Sequence, residues 1–254
     1  MNKYRSTVIL PDTQVPYQHK RFVSALQQFV KDYEPDALAH VGDGLDAPEP
    51  SRWNRGMAGE YAPTLQKSVN EFHDMLAGFR KALGDKPFHF KMGNHDERVE
   101  TYVHRYAPAL GSIDALRFEN LTRLNELEIE CHRSLFDIAP GWVIAHGHES
   151  GLNRTAGGTA MGLARKVGKS VVCGHTHRAG LQHETTGYNG KVRTIFGMEV
   201  GHAMDLKGAH YLKFGGANWA QAFGILHTDG KSTWPQMVYV QGNQFIVDGN
   251  VYTF

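Results

Sequence analysis

Two periods alternate along the first two thirds of the chain. Thr7–Leu10 is a short apolar run that predicts a buried strand. His19–Tyr33 then carries Phe22, Val23, Leu26, Phe29 and Val30 at helical spacing. Ala37–Val41 predicts a second strand, and a long polar loop follows it. Ala62–Leu83 predicts a helix with Leu65, Val69, Phe72, Leu76 and Phe79 on one face. Phe88–Met92 predicts a third strand and Asp96–Tyr106 a third helix. Leu127–Cys131, Trp142–Ala145 and Ser170–Cys173 predict further strands, with a short helix over Thr159–Val167 after a glycine-rich turn. Beyond that the pattern is mostly β, at Val192–Phe196, Ala222–Leu226, Gln236–Val240 and Gln244–Val247. The early strand–helix alternation predicts a partly parallel sheet, and the late β-rich region a second sheet packed on it. No repeat, low-complexity tract or linker divides residues 1–254, which read as one domain, a layered α/β sandwich.

Composition narrows this picture. Of the 254 residues 41% are apolar, enough for a sizeable core. The 27 basic residues nearly balance the 26 acidic ones, so no global polyanion-binding signature is present. No apolar run approaches the roughly 18 residues of a membrane helix, and Val8-Ile9-Leu10 is too short for a signal-peptide core. The expected setting is the cytoplasm, with no membrane contact and no obligate protein partner. Cys131 and Cys173 form no CxxC pair and are expected as free thiols.

The chemistry collects behind the strands. Pro11-Asp12-Thr13-Gln14 follows the first, Gly42-Asp43-Gly44-Leu45-Asp46 the second and Gly93-Asn94-His95-Asp96 the third. His146-Gly147-His148 follows Trp142–Ala145, and Gly174-His175-Thr176-His177 follows Ser170–Cys173. Sheet-based α/β proteins place their sites at the carboxyl ends of strands, so these clusters are expected to converge. Carboxylate, imidazole and amide oxygen suit Mn, Fe, Zn or Mg, with no thiolate to favour a softer metal. Two such ions about 3.5–4 Å apart can clamp the attacking and leaving oxygens of a phosphoryl displacement. If His175-Thr176-His177 is extended, its two imidazoles share a direction and each can reach a different ion.

In this order the five clusters resemble the motifs of the calcineurin-like metallophosphoesterase superfamily: DxH, GDxxD/N, GNHD/E, a GH element and GHxH. The match runs from Asp12 to His177. It implies a two-sheet β-sandwich flanked by helices, a four-layer α/β/β/α arrangement. It also implies two divalent metal ions, manganese first, with iron, zinc, magnesium or nickel as the others. By motif, Asp12 and His177 would hold the first ion, Asp43 would bridge, and Asn94, His146 and His175 would hold the second. His95 would be the catalytic histidine that protonates the leaving oxygen, with Asp96 orienting it. Asp46 would stand one layer further out, and His148 would contact the substrate phosphate. The implied activity is hydrolysis of a phosphodiester (nucleic acid, cyclic nucleotide or nucleotide derivative) by in-line attack of a metal-bound hydroxide. The alternatives are a phosphomonoesterase or protein phosphatase, and a catalytically silent binding module on the same fold. The wording of GDGLDAPEPSRWNRG, GGTAMGLARKVGKSVVCGHTH and NWAQAFG is also similar to phage-encoded members, which would place the protein in the host cytoplasm and make it a nuclease or nucleotide enzyme.

One motif departs from that pattern. Gln14 stands where the superfamily has histidine. Its amide oxygen is neutral and a weaker ligand for transition metals than imidazole, so the first site is expected to bind more weakly and to tolerate Mn or Mg. The loop Pro48–Pro63 carries Arg52, Trp53, Arg55 and Tyr61 directly after the Asp43 cluster. Arg52 and Trp53 can pair with phosphate and stack a base, or the loop's aromatics can pack inward. Seven Lys or Arg against one acid between Arg154 and Arg193 can steer a polyanion or form a solvated face. His40, His73, His89, His104 and His132 are expected to be structural; His19, His202 and His210 divide evenly between surface and pocket rim.

Overall fold

The computed structural model describes residues 4–206 and 217–254, so His210 lies outside the described residues. Strand β1 (Arg5–Leu10) leads through the cluster at Asp12 to helix α1 (Lys20–Tyr33), then β2 (Ala37–His40), α2 (Leu65–Leu83), β3 (Phe88–Lys91) and α3 (Arg98–Tyr106). A short helix α4 (Phe118–Leu121) precedes β4 (Glu130–His132), β5 (Phe136–Ala139) and β6 (Trp142–Ile144). Helix α5 (Gly158–Val167) leads into β7 (Ser170–Cys173), β8 (Ala179–Tyr188) and β9 (Lys191–Val200). The chain closes with β10 (Ala222–Thr228), β11 (Thr233–Tyr239), β12 (Gln244–Val247) and β13 (Asn250–Thr253).

Two main sheets form. One has the order β11-β10-β1-β2-β3-β4 and the other β5-β6-β7-β9-β8, with β12-β13 as a separate hairpin. Strands β1 to β4 run parallel, as do β6, β7 and β9. Alternation along each strand sorts its side chains between two layers. Val8 and Leu10 face helices α1 and α2 in one cluster with Phe22, Phe29, Phe72 and Phe90. Ile9 faces the other way and packs with Val41, Trp142, Ile144, Val172 and Met198 between the sheets. Val171 and Cys173 turn outward again, under Met161 and Ala164 of α5. Helix, sheet, sheet and helix are thus stacked as four layers. Cys131 and Cys173 are free thiols. No helix among the described residues is long and apolar enough to cross a membrane.

The late strands depart from the expectation. Only β9 of those predicted joins the second sheet; β10 pairs antiparallel with β1 and brings β11 with it, extending the first sheet. The hairpin strand β8 was not predicted, because its sequence AGLQHETTGY is largely exposed and carries few apolar positions to set a period. Strand β4 begins at Glu130 rather than Leu127, since Leu124–Leu127 coil into a 3₁₀ turn.

Candidate metal centre

Because β1, β2 and β3 are parallel, and β6 and β7 are parallel, each sheet presents its strand ends on one edge. The contacts across the sheets join those edges. His146 Nε2, at the end of β6, lies 3.1 Å from Asp43 Oδ2, at the end of β2. The His175 backbone N–H donates to Asp12 Oδ2 at 2.9 Å, and His177 Nε2 is 3.3 Å from that same oxygen. The ligand atoms of Asp43, His146 and His175 all lie within 4.8 Å of one another. Asn94, between Gly93 and His95, keeps a buried Oδ1 with no hydrogen-bond partner. All five strand-end clusters therefore contribute to one place.

The donor set fits divalent cations. Asp12 Oδ1, Asn94 Oδ1, His146 Nε2, His175 Nδ1 and His177 Nδ1 are buried without hydrogen-bond partners. Buried polar atoms are normally satisfied, and a cluster of orphans is costly without a ligand. His146 offers the right nitrogen: its Nδ1, 2.9 Å from the Val41 carbonyl, donates there, so Nε2 is the atom that faces Asp43 and that a cation would meet on displacing its proton. The field also favours positive charge. Burial works against a charged His146, yet the Asp43 charge and contact raise it to about 10. Burial likewise opposes a charged Asp43, but His146 and His95 hold its carboxyl well below the ordinary value. Burial and the neighbouring His146 push His175 down to about 4, although Asp43 and Asp12 pull the other way.

The two histidines of the Gly-His-Thr-His segment do not share an extended strand. His175 has φ 68° and His177 φ 57°, both left-handed. The segment is a tight turn, and it sends the rings apart: His175 stands 5.0 Å from the His146 ring, while His177 stacks edge-on to Trp219 at 4.4 Å. They still serve different sides of the centre, by a bend rather than by strand alternation.

Gln14 is 2% exposed and sits inside the centre, at φ 54°. Its Nε2 donates to Asp43 Oδ2 at 3.3 Å and lies 3.4 Å from His177 Nε2. An amide nitrogen is a donor and no ligand, so the amide must turn over before its oxygen can face a cation.

A second correction concerns Asp96. It does not touch His95. Its buried carboxylate accepts the backbone N–H groups of Asp43 (2.8 Å), Leu45 (3.0 Å) and Gly93 (2.8 Å), fastening two site loops together. Burial and the Asp43 charge raise it to about 7. The group that holds His95 is Asp46, whose Oδ1 makes a short contact to His95 Nδ1. Arg98 completes the brace, donating to Asp46 Oδ1 at 3.1 Å and to His95 Nε2 at 2.9 Å. Burial opposes the imidazolium, but Asp43 and the Asp46 hydrogen bond outweigh it and raise His95.

Other buried charges hold the remaining loops. Glu149 accepts from the N–H of His146 (3.1 Å) and of Gly147 (2.6 Å) and pairs with the buried Lys91 at 3.2 Å. Burial alone would raise it, yet Lys91 and those N–H groups lower it to about 2. Glu199 accepts from Thr176 Oγ1 and from the Thr159 N–H, both at 2.8 Å. The reading of the sequence missed Arg98, Lys91, Glu149 and Glu199. Glu199 left a signal, an acid inside the apolar run of β9; Arg98 left another, one helical turn from His95.

His40 is structural: its Nδ1 accepts from the Gly42 N–H at 3.1 Å, and burial lowers it to about 4. His148 lies beside the centre, 5.3 Å from the His146 ring. His202 is fully buried next to His177 and Trp219, not on a rim. Arg52 and Trp53 stack on one another at 4.6 Å and line a cleft of about 510 Å³ that reaches Asn94 and His95. Arg98, Arg105, Tyr102 and Tyr106 form its other side.

Comparison with known proteins agrees with this architecture. The calcineurin-like phosphoesterase family matches residues 6–179. The chain is 37% identical over 248 residues to the Gene 54 protein of Mycobacterium phage D29, covering 96% of this chain and 97% of that one. It is 35% identical to the Gene 54 protein of Mycobacterium phage L5 with the same coverage. Among solved structures, Vacuolar Protein Sorting 29 from Cryptosporidium parvum aligns over 99% of both chains, at 13% identity and a TM-score of 0.49. The chain, with relatives encoded by mycobacteriophages, belongs to the calcineurin-like phosphoesterase family.

Proposed function

We propose that the chain is a dinuclear phosphodiesterase acting on a nucleic-acid strand or nucleotide derivative, in the host cytoplasm, and that residues 1–254 work as one unit. The observation that carries the diester reading is the cleft beside His95. Its arginines Arg52, Arg98 and Arg105 suit the flanking phosphate, and Trp53, Tyr102 and Tyr106 suit a stacked base. A monoester has no second substituent to fill such a space.

In this reading Asp12, His177 and, once its amide has turned, Gln14 would hold one ion, Asn94, His146 and His175 would hold another, and the Asp43 carboxylate lies between the two sets. Bound there, divalent ions of the manganese, iron, zinc, magnesium or nickel type would polarise the phosphoryl oxygens and lower the pKa of a water so that it could act as nucleophile. The chain's own residues do the rest. Once Arg98 has released it, His95 Nε2, 3.8 Å from Asp43 Oδ2, is free to take up the proton that it gives to the leaving oxygen. Asp46 fixes the ring from the Nδ1 side, and Arg98 yields its hold on Nε2 to the substrate. His148 meets a phosphate oxygen, and Asp96 keeps the loops of Asp43 and Gly93 in register.

The test is hydrolysis of bis-p-nitrophenyl phosphate, p-nitrophenyl phosphate and a single-stranded oligonucleotide by metal-stripped protein titrated with Mn²⁺. Turnover of the diester and the oligonucleotide is expected. Turnover of the monoester alone would replace the reading by a phosphatase. No turnover with any divalent metal, and fewer than two bound ions, would leave a silent binding module, the outcome the Gln14 donor favours.

Asp46→Asn supplies a second check. Removing that carboxylate withdraws a charge that favours the protonated ring, so the alkaline limb of the rate profile should move to lower pH. The rate on a poor leaving group should fall by about 10²-fold, and that on a p-nitrophenyl ester far less. Equal losses on both, with the limb unmoved, would deny His95 its role as acid.

A further inference from the structure

Histidines also gather outside the centre, on the first sheet. His89 on β3 is the register partner of Glu130 on the edge strand β4, and His132 lies two residues further along β4. Alternation puts all three on one face. The other face carries Phe88, Phe90 and Cys131, which pack under the helices. The three polar groups point at a common spot. His89 Nδ1 is 3.2 Å from His132 Nε2 and 3.2 Å from Glu130 Oε2, and His132 Nε2 is 3.6 Å from Glu130 Oε1.

We propose that His89, Glu130 and His132 form an additional metal site, separate from the centre, that takes a tetrahedral transition-metal ion of the Zn²⁺ type. The spacing carries the argument. Nitrogen and oxygen ligands about 2.0–2.1 Å from zinc stand roughly 3.3–3.4 Å from one another at the corners of a tetrahedron. The His89–His132 and His89–Glu130 Oε2 separations, both 3.2 Å, lie close to that value, and one ligand atom from each of the three residues lies within 4.8 Å of the other two, so a small turn of the Glu130 carboxylate completes one face of such a polyhedron. A simple hydrogen-bonded pair needs no third donor at the same spacing. The rings are also pre-set: Phe136 stacks on His132 at 3.6 Å and 14° and lies 5.5 Å from His89. Burial lowers both imidazoles from their ordinary values, against the pull of Glu130. Glu130 remains 65% exposed, so the fourth position opens to water. A bound ion would clamp the edge strand β4 to β3, the strand that runs straight into Gly93-Asn94-His95.

The experiment uses the full chain and does not depend on the substrate assigned to the centre. Wild type, His132→Gln and Glu130→Gln are saturated with Zn²⁺, freed of excess ion by gel filtration and assayed for bound metal. Each is also titrated with Co²⁺ and followed by its visible absorption. The expected result is a loss of about one ion per chain in His132→Gln, and a tetrahedral cobalt band that vanishes with it. In Glu130→Gln the affinity of this site should fall by about tenfold or more, at unchanged circular dichroism. Equal metal content and equal cobalt spectra in wild type and in the folded Glu130→Gln and His132→Gln chains would overturn the site. Should His132→Gln fail to fold, the exposed Glu130→Gln decides alone. Loss of ions from the centre instead would show as a deficit common to all three chains.

Discussion

Asp43→Asn is expected to lower Mn²⁺-dependent turnover of bis-p-nitrophenyl phosphate by about a thousandfold, the upper end of what removing one electrostatic group from a preorganised site costs. The carboxylate is 1% exposed and lies between both halves of the centre. Its Oδ2 faces His146 at 3.1 Å and Gln14 at 3.3 Å, while its Oδ1 accepts the His95 N–H at 2.8 Å. Asparagine matches its shape and can keep the bond from His95. It removes the negative charge that makes a pair of cations tolerable in a buried place. The fold should survive, because the Asp43 N–H still reaches Asp96 and its carbonyl still accepts from the Gln14 N–H at 3.0 Å. The checks are steady-state rates and a metal count on the same preparation. A folded variant within tenfold of the wild-type rate would remove Asp43 from the chemistry.

Gly93→Ala should damage both stability and rate without touching a charged group. A Cβ at Gly93 would sit 2.3 Å from Asp43 Oδ1, 2.4 Å from the Asp43 backbone nitrogen and 2.8 Å from His146 Cε1. Two of those neighbours are fixed by backbone or by the site, so the loops of Asp43 and Asn94 must part. Overpacking of that kind costs about 1–3 kcal/mol, which in a chain of this size lowers Tm by roughly 2–4 °C per kcal/mol. Displacement of His95 and Asn94 by about 1 Å should reduce the rate by about a hundredfold. Gly162, inside α5 with open space around its position, is the control, and alanine there should leave the rate unchanged. Thermal unfolding and turnover measured on both variants decide the matter. A Gly93→Ala chain that melts and turns over like wild type would mean that the two loops yield freely.

The motif residues were legible because each follows a strand whose apolar run announces it. Asp12, Asp43, Asn94, His146 and His175 stand within two residues of such a run. Parallel strands must then carry them to one edge. What could not be read was which side chain touches which. Asp96 follows His95 directly, yet the chain turns there into α3 and points the carboxylate at three backbone N–H groups. Asp46 lies 49 positions from His95 and holds it.

By itself the sequence determined the layered α/β arrangement over β1 to β4, β6 and β7, the polar clusters that gather around the centre and the presence of Gln14 where an imidazole is usual. These depend on periodicity and local order, which a linear chain displays. Only the tertiary structure decided that β10 returns to the first sheet, that left-handed residues rather than an extended strand part His175 from His177, that Gln14 presents a donor to Asp43, and that His89 meets Glu130 and His132. Each of these depends on pairing across tens of residues or on a backbone turn set by packing, and neither leaves a period in the chain.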